Sequence, residues 1–296
     1  MKIVVLGSGG MLGTALMQRF SEHEVFGLDR SAVDASRRLD ITNRDEVFSV
    51  LSGISPDVVL NAAAYTAVDD AEKNSEIAMQ VNRDGTTFVA DFCRSTGARL
   101  VHFSTDYVFD GRNLAGYSEK DVPGNPLNVY GSSKLAGEQA LVNFENFSMK
   151  GDFYLVRTSW LYGPHGKNFV QTMMYLAEIQ KELSVVNDQI GNPTHTVDLA
   201  DAVFRLLGFG DGAKDGASHP YPFGIYHLVN ERSVSWYEFA QEIFMAVGIS
   251  PLVKSVSSDA FPRPAARPSC SILRNTKFPL LRDHREALQD FLKAET

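Results

Sequence analysis

The chain has 296 residues, of which 44% are hydrophobic and 22% charged, as is ordinary for a globular enzyme. Its formal net charge of −8 leaves no surplus of Lys and Arg to neutralise phosphates, which argues against a nucleic-acid-binding protein. No apolar run reaches the roughly 18 residues that span a bilayer, so no membrane association is expected. The two cysteines, Cys93 and Cys270, lack metal or redox spacing, and this favours a reduced, cytoplasmic location.

The first half of the chain alternates short apolar runs with longer amphipathic stretches. This pattern is typical of βαβ units and a parallel sheet. The predicted strands are Lys2–Leu6, Glu24–Leu28, Asp57–Asn61, Arg99–Phe103 and Phe153–Arg157. Ser75–Thr96 is predicted to be one long helix that Gly97 ends.

The second half is predicted to contain shorter elements. Helices are expected over Asn168–Gln180, Val197–Leu207 and Ser235–Val247, a strand over Leu183–Val186, and loops over Gly208–Pro222 and Phe261–Pro268. Ser235 is the expected N-cap of its helix.

The first strand runs directly into Gly7-Ser8-Gly9-Gly10-Met11-Leu12-Gly13. Glycine at positions 7, 10 and 13 permits a tight turn, a close approach of backbone to a pyrophosphate, and close packing of helix on strand. Phosphates would then lie at the positive N-terminus of the following helix. The motif predicts a dinucleotide site formed by Gly7, Gly10, Met11, Leu12 and Gly13.

The second strand ends at Asp29 and Arg30, and Asp29 lies 22 residues beyond Gly7. A carboxylate at about this distance binds the adenosine ribose and favours NAD, whereas an arginine beside it suits the 2′-phosphate of NADP. The expected cofactor is therefore NADP(H) or NAD(H).

Further cofactor contacts are expected where the neighbouring segments approach the same edge of the sheet. Asp40 and Ile41 are placed near the adenine. Ala62, Ala63, Ala64 and Tyr65 follow the third strand, where small residues leave room for a ligand.

Tyr130 and Lys134 form a YxxxK pair on one predicted helix face. A nearby ammonium favours ionisation of a phenol, so Tyr130 can exchange a proton with a carbonyl oxygen. Ser104 and Thr105 follow the fourth strand, and the Thr105 hydroxyl is placed to bind that oxygen.

These features together resemble the extended short-chain dehydrogenase/reductase family. Five phrases narrow the resemblance to the dTDP-4-dehydrorhamnose reductases: residues 61–69 (NAAAYTAVD), 104–111 (STDYVFDG), 126–131 (PLNVYG), 157–163 (RTSWLYG) and 188–194 (DQIGNPT). The resemblance runs from residue 3 to about residue 200, and Arg267-Pro268 extends it weakly.

The resemblance implies a fold, a reaction and a set of site residues. The fold is α/β, a Rossmann-type doubly wound parallel sheet with a smaller C-terminal substrate-binding lobe. Residues 1–163 form the NAD(P)-binding domain and 164–296 mainly the substrate lobe, with later segments returning to the first. NAD(P)H would reduce the 4-keto group of dTDP-4-dehydro-L-rhamnose. Thr105, Tyr130 and Lys134 would be catalytic, Ser104, Tyr130 and Lys134 would also contact cofactor, and the nucleotide sugar would bind Thr105, Asp106, Tyr107, Trp160, Asn168, Gln189 and Arg267.

Some members of the resembled family bind Mg²⁺ through glutamates at a dimer interface. This chain has Gln18 in its first helix and no matching acidic set, so no required metal is predicted. A homodimer stays open.

Two rival classes of function share the predicted fold. One is another sugar-nucleotide short-chain enzyme, which includes a 4-ketoreductase that acts on a different sugar. A sugar-nucleotide 4,6-dehydratase or 4-epimerase would keep the YxxxK pair, but dehydratases carry Thr-Asp-Glu where this chain has Thr105-Asp106-Tyr107. A non-catalytic NADP-binding subunit, similar to the regulatory subunit of methionine adenosyltransferase, would not require Thr105, Tyr130 and Lys134 together.

Overall fold

The computed structural model describes residues 1–145, 148–210 and 221–295. In this part of the chain, the strands of four or more residues are β1 (Lys2–Leu6), β2 (Glu24–Leu28), β3 (Val58–Asn61), β4 (Arg99–Thr105), β5 (Phe153–Thr158), β6 (Glu182–Val186), β7 (Gly224–His227) and β8 (Leu252–Val256). The five strands predicted in the first half are confirmed. β3 begins one residue late, while β4 and β5 extend to Thr105 and Thr158.

Six of these strands form one parallel sheet in the order β7-β5-β4-β3-β1-β2. The direction of winding reverses between β1 and β3, so a crevice opens there at the carboxyl ends of the strands. β6 pairs in parallel with β8 away from this sheet. Shorter pairs join Leu161–Tyr162 to Thr194–His195, Ile190–Gly191 to Val234–Ser235, and Val142–Asn143 to Ser148–Met149.

The helices are α1 (Met11–Arg19), α2 (Arg44–Ile54), α3 (Val68–Ala71), α4 (75–96), α5 (Val129–Leu141), α6 (Phe169–Ile179), α7 (Thr196–Leu206), α8 (Trp236–Ala246) and α9 (His284–Glu295). Three 3₁₀ turns lie at Ala35–Arg37, Asp106–Val108 and Ser258–Ala260. Across the described ranges, no helix is long and apolar enough to cross a membrane.

The predicted second-half helices are confirmed to within one residue at each end, as is the strand that became β6. Ser235 caps α8 in a capping box: its hydroxyl accepts from the Glu238 N–H, and the Glu238 carboxylate accepts from the Ser235 N–H. Of the predicted loop Gly208–Pro222, residues 211–220 lie outside the described residues.

Helix α4 differs from the prediction of one regular helix. It is α-helical over Ser75–Met79, takes π-helical geometry over Gln80–Gly85, and returns to α-helix over Thr86–Thr96. A π turn inserts an extra residue and rotates the face that follows, and such turns often lie at functional sites. Here the turn directs Asn82 toward the loop after β3 and toward α5.

Alternate residues of the strands enter two separate cores. Ile3 and Val5 of β1 face a core that includes residues of α1 and α7, whereas Val4 and Leu6 face a core that includes residues of α2 and α4. A sheet buried on both faces by helices is the doubly wound α/β arrangement, so the predicted Rossmann-type fold class is confirmed.

A third core lies in the second half of the chain. It includes Tyr162, Val170, Leu183, Phe239 and Phe291, and thus joins α6, β6, α8 and α9. β7 and α7 instead return to the large sheet, β7 as its edge strand and α7 against α1. The division into two lobes near residue 163 stays a prediction.

Candidate active site

A cleft of about 640 Å³ opens at the point where the strand order reverses. Every residue predicted to bind the cofactor lines it: Gly7, Gly10, Met11, Leu12, Gly13, Asp29, Arg30, Asp40, Ile41, Ala62, Ala63, Ala64, Tyr65, Ser104, Tyr130 and Lys134. Thr105, Asp106 and Trp160 line the same cleft, so it holds the predicted catalytic and part of the predicted substrate set.

The glycine turn leaves no room for side chains at its first and last glycines. Gly7 has φ of +75°, and a Cβ there would lie 2.7 Å from the Ala63 nitrogen. A Cβ on Gly13 would lie 2.0 Å from the Gly7 carbonyl oxygen. α1 begins at Gly10 without a side-chain cap, so its first N–H groups are available to an anion. This cradle fits the diphosphate of a dinucleotide.

Asp29 is fixed beside the glycine turn. One carboxylate oxygen accepts from the Ser31 N–H (2.8 Å) and hydroxyl (2.6 Å), and the other accepts from the Gly9 N–H (3.2 Å). Burial acts to raise the pKa of this carboxyl, but those hydrogen bonds and the charge of Arg30 outweigh it and lower the pKa. Asp29 is therefore a carboxylate at neutral pH, aimed as a ribose hydroxyl requires, while Arg30 lies exposed next to it.

Asn82 is a buried residue behind the cleft lining whose contacts the sequence analysis missed. Its side chain accepts from the Tyr65 N–H (2.9 Å), donates to the Tyr65 carbonyl (3.0 Å) and donates to the Ser133 hydroxyl (2.9 Å). It thus ties the loop after β3 to the helix that carries Tyr130 and Lys134. In the sequence, Asn82 is only a polar residue inside a predicted helix, and its spacing does not reveal its partners.

Tyr130 stands in the first turn of α5, which Asn128 caps. The Asn128 oxygen accepts from the Gly131 N–H at 2.7 Å, and its amide donates to the Ala266 carbonyl at 2.8 Å. Burial raises the pKa of the Tyr130 phenol to about 12, and a hydrogen bond with Thr105 only partly opposes this. This shift is opposite to the lowering that the nearby ammonium was expected to cause, because burial dominates, and Tyr130 is protonated at neutral pH.

Thr105 lies between Tyr130 and Asp106. Its hydroxyl donates to Asp106 at 2.9 Å and accepts from the Tyr107 N–H at 3.2 Å. Burial raises the pKa of Asp106 to about 6, against hydrogen bonds from Ser271 and Thr105 that lower it. The second Asp106 oxygen is buried and has no partner in the described chain, so it is available to a ligand.

The Lys134 ammonium is fully buried below Tyr130. It donates to the Phe103 carbonyl oxygen at 2.6 Å and lies 3.4 Å from His102 Nε2. Burial lowers its pKa to about 8, although Glu138 acts to raise it. The Tyr130 phenol and the Lys134 ammonium were expected to be in direct contact. In the described residues the ammonium instead contacts β4 through Phe103 and His102.

Trp160 forms one wall of the cleft in a strained conformation. Its φ is +47°, and its indole stacks on Trp236 at 3.5 Å with 3° between the rings. On Gly191 a Cβ would come within 2.5 Å of the indole. A bulky residue in the left-handed region persists only where its surroundings hold it, as these neighbours do.

Four predicted substrate contacts do not line this cleft. Arg267 donates to both oxygens of Asp69, at 2.5 and 2.9 Å, and Tyr107 lies against the Arg267 guanidinium and edge-on to Tyr130. Asn168 caps α6 by accepting from the Gln171 N–H, and Gln189 donates to Ser258. The structure gives each a contact within the protein, and their substrate roles stay predictions.

The cleft also includes residues that were not predicted. They are Leu6, Leu28, Ser31, Leu39, Thr66, Val81, Phe103, Thr158, Ser159 and Leu161. Thr158 and Ser159 stand at the carboxyl end of β5, and the rule that ligands bind at strand ends would have found them. Within the described ranges, no three His, Cys, Asp or Glu residues are grouped as a metal site, and the absence of a required metal stays a prediction.

Comparison with known proteins gives matches over the whole chain. The family model described as the RmlD substrate binding domain matches residues 1–296. The chain is 38% identical to dTDP-4-dehydrorhamnose reductase of Aggregatibacter actinomycetemcomitans, over 93% of this chain and 91% of that protein. It is 38% identical to the spore coat polysaccharide biosynthesis protein SpsK of Bacillus subtilis, over 99% and 97%. The solved dTDP-4-dehydrorhamnose reductase of Bacillus anthracis, in complex with NADP, superimposes with a TM-score of 0.87 at 37% identity, covering 100% of this chain and 99% of that one.

Proposed function

We propose a reaction for this chain, which belongs to the RmlD substrate-binding family of NAD(P)-dependent oxidoreductases. It reduces the 4-keto group of dTDP-4-dehydro-L-rhamnose to give dTDP-L-rhamnose. The observation that carries the proposal is the cleft in which Thr105, Tyr130 and Lys134 meet the glycine turn.

The glycine turn, Asp29 and Arg30 would hold NADP(H) or NAD(H), since the cradle and the carboxylate fit a diphosphate and a ribose. When bound, the reduced dinucleotide supplies the hydride that C4 of the sugar receives. The chain itself supplies the proton and the positions of the reacting groups.

Tyr130 gives the proton. Because its pKa is raised to about 12, its phenol is intact at neutral pH and donates from Oη to the oxygen that becomes the 4-hydroxyl. Lys134 keeps its positive charge below its pKa of about 8 and stabilises the negative charge that develops on Oη.

Thr105 and Asp106 orient the sugar. The Thr105 hydroxyl accepts from the Tyr107 N–H and donates its one hydrogen to Asp106. When the sugar binds, that hydrogen turns to the keto oxygen that Tyr130 protonates. The unpartnered Asp106 oxygen accepts from a sugar hydroxyl, and the Trp160 indole covers an apolar face of the ring. The substrate contacts of Asn168, Gln189 and Arg267 remain part of the proposal.

The test is oxidation of NADPH and NADH at 340 nm with dTDP-4-dehydro-L-rhamnose. Tyr130→Phe is expected to lower kcat by at least about 100-fold, because it removes the proton donor. Its affinity for NADPH, measured by calorimetry, should stay near that of the wild type. Tyr175→Phe, an exposed tyrosine of α6, is the matched control. A folded wild type that binds NADPH without turnover would refute the reductase and favour a binding subunit.

We also propose a cytoplasmic location for the chain and its assembly as a homodimer. Cys93 and Cys270 are buried free thiols, which suits a reducing compartment. Light scattering of the purified chain at several concentrations measures its assembly directly.

A further inference from the structure

The imidazole of His102 lies fully buried behind the proposed catalytic lysine. His102 is a residue of β4, and its partner in the neighbouring strand β3 is Asn61. Its Nε2 is 3.4 Å from Lys134 Nζ, and its Nδ1 is 3.2 Å from Asn61 Nδ2. Both His102 and Asn61 are inaccessible to solvent or nearly so, at 0% and 1% exposure. His102 does not line the cleft, so contact with a ligand does not account for this buried imidazole.

The orientation of the Asn61 amide decides which nitrogen of His102 carries the proton. With the amide nitrogen toward Nδ1, the proton would be on Nε2 and would point at the Lys134 ammonium, placing two donors together. The same orientation leaves Asn61 Oδ1 buried without a partner. Rotating the amide by half a turn removes the conflict between the two donors and gives Oδ1 a partner, because amide oxygen and nitrogen are nearly isosteric. Nδ2 then occupies the buried position that Oδ1 leaves. Nδ1–H then donates to Asn61 Oδ1, and Nε2 accepts from Lys134.

We infer that His102, oriented by Asn61, is a positioning residue that holds the Lys134 ammonium by accepting its hydrogen bond at Nε2. This rests on the proposed role of Lys134 in the reduction. Burial and the charge of Lys134 lower the pKa of His102 well below its ordinary value, so the imidazole is neutral and able to accept. The ammonium then has two fixed acceptors on β4, the Phe103 carbonyl and His102.

Other charged groups near Lys134 are few. Glu138 lies one turn further along α5 and is paired with Arg157 of β5 at 2.7 Å. Asp106 lies on the cleft side, beyond Tyr130. Neither is hydrogen-bonded to His102 or Asn61 in the described part of the chain, and His102 can be altered without changing a residue that lines the cleft.

The direct test is the tautomer of His102. Long-range ¹H–¹⁵N correlation spectra of ¹⁵N-histidine-labelled protein, without substrate and then with NADP⁺, distinguish protonated from unprotonated ring nitrogens. The His102 signal is assigned by its loss in His102→Gln. A proton on Nδ1 and none on Nε2 between pH 6 and 8 is expected; an Nε2–H tautomer or an imidazolium would overturn the inference. This result does not depend on turnover, so it stands apart from the proposed reaction.

The functional test is the pH profile of kcat at saturating NADPH. Lys134 loses its proton near its pKa of about 8, so an alkaline limb is expected there. His102→Leu removes an acceptor and should move this limb down by about one pH unit, since a hydrogen bond to a charged group is worth about that much. His102→Gln supplies an acceptor oxygen and should largely restore the limb, with KM for the sugar unchanged in both. Identical alkaline limbs in wild type and His102→Leu would refute the positioning role.

Discussion

Burial acts in opposite directions on the two titratable groups that α5 brings to the cleft. It raises the pKa of Tyr130 to about 12 and lowers that of Lys134 to about 8. At neutral pH the phenol is therefore protonated and the lysine is charged. Reduction needs both of these forms, because the phenol gives a proton to an oxygen and the ammonium stabilises the charge left behind. The raised pKa in itself makes the phenol a weaker acid.

The preference between NADPH and NADH is expected to depend on Arg30. Its exposed guanidinium borders the cleft next to Asp29, where it can bind a 2′-phosphate. Arg30→Ala should raise KM for NADPH by about tenfold while changing KM for NADH less than about twofold, because a lost charge-assisted contact costs roughly that factor. Initial rates with each cofactor measure it.

Arg37→Ala is the matched control for this experiment. Arg37 is an exposed arginine close in sequence that does not line the cleft, and among the described residues its ion pair is a distant one with Asp34 at 3.9 Å. An equal loss for both cofactors in Arg30→Ala would contradict the assignment of Arg30 to the 2′-phosphate.

The residues that could be predicted from the sequence are those whose partners are close in sequence. The glycine turn and the Tyr130–Lys134 spacing are local patterns, and both lie in the cleft. The ion pair of Arg267 with Asp69 joins segments that are 198 positions apart, and no local pattern reveals it. The contact between His102 and Lys134 likewise exists only because β4 and α5 pack together.

At the scale of elements, the strand pattern was predictable because buried parallel strands form continuous apolar runs. The π turn in α4 was not, because a single inserted residue leaves the apolar spacing on each side intact. That turn matters for the site, since it brings Asn82 to both Tyr65 and Ser133. A long regular helix would place a different residue there.

The short strand Ile190–Gly191 supports the wall of the cleft. Because a Cβ on Gly191 would lie 2.5 Å from the Trp160 indole, Gly191→Ala must displace an indole that is stacked on Trp236. We expect KM for the sugar to rise about tenfold, since misplacement of a positioning group by about 1 Å is costly. The Kd for NADPH, measured by calorimetry, should change less than about twofold.

Gly53→Ala serves as the control for the added methyl group. Gly53 lies in α2 with open space around it, so the variant should keep full activity and gain up to about 1 kcal/mol of stability from helix propensity. Unchanged sugar KM in Gly191→Ala would show that the position of Trp160 does not matter for binding.

At the scale of the whole molecule, α7 links the large sheet to the C-terminal segment. Asp198 of α7 accepts from Arg282 at 2.9 Å on each oxygen and from Asn230 at 2.7 Å. Burial acts to raise its pKa, but the His195 imidazole 3.7 Å away and the hydrogen bonds from Arg282 and Asn230 outweigh it and lower the pKa to about 2. The pair therefore stabilises the fold only while Asp198 is ionised.

Asp198→Asn should lower the free energy of unfolding at pH 7 by about 2 kcal/mol. The folded-state pKa of about 2 lies below the unfolded value, so this stabilisation is complete above about pH 4 and is lost as the pH falls toward 2. Urea unfolding between pH 7 and pH 3 measures the difference in free energy of unfolding between variant and wild type, which should become smaller as the pH falls. Asp201 lies on the same helix and pairs with Arg19 and Arg205 at the half-exposed surface, so Asp201→Asn should cost less than about 1 kcal/mol. An equal cost for both variants would contradict the role given to Asp198.

The most direct measurement is the fate of a deuterium label. Dideuterated NADPH, labelled at both positions of nicotinamide C4, is incubated with the protein and dTDP-4-dehydro-L-rhamnose, and the nucleotide sugar is examined by NMR and mass spectrometry. One deuterium at C4 of the sugar is predicted, in product that Tyr130→Phe forms at least about 100-fold more slowly than wild type. Oxidised cofactor without deuterium at C4, or deuterium at another carbon, would contradict the reaction proposed for this cleft.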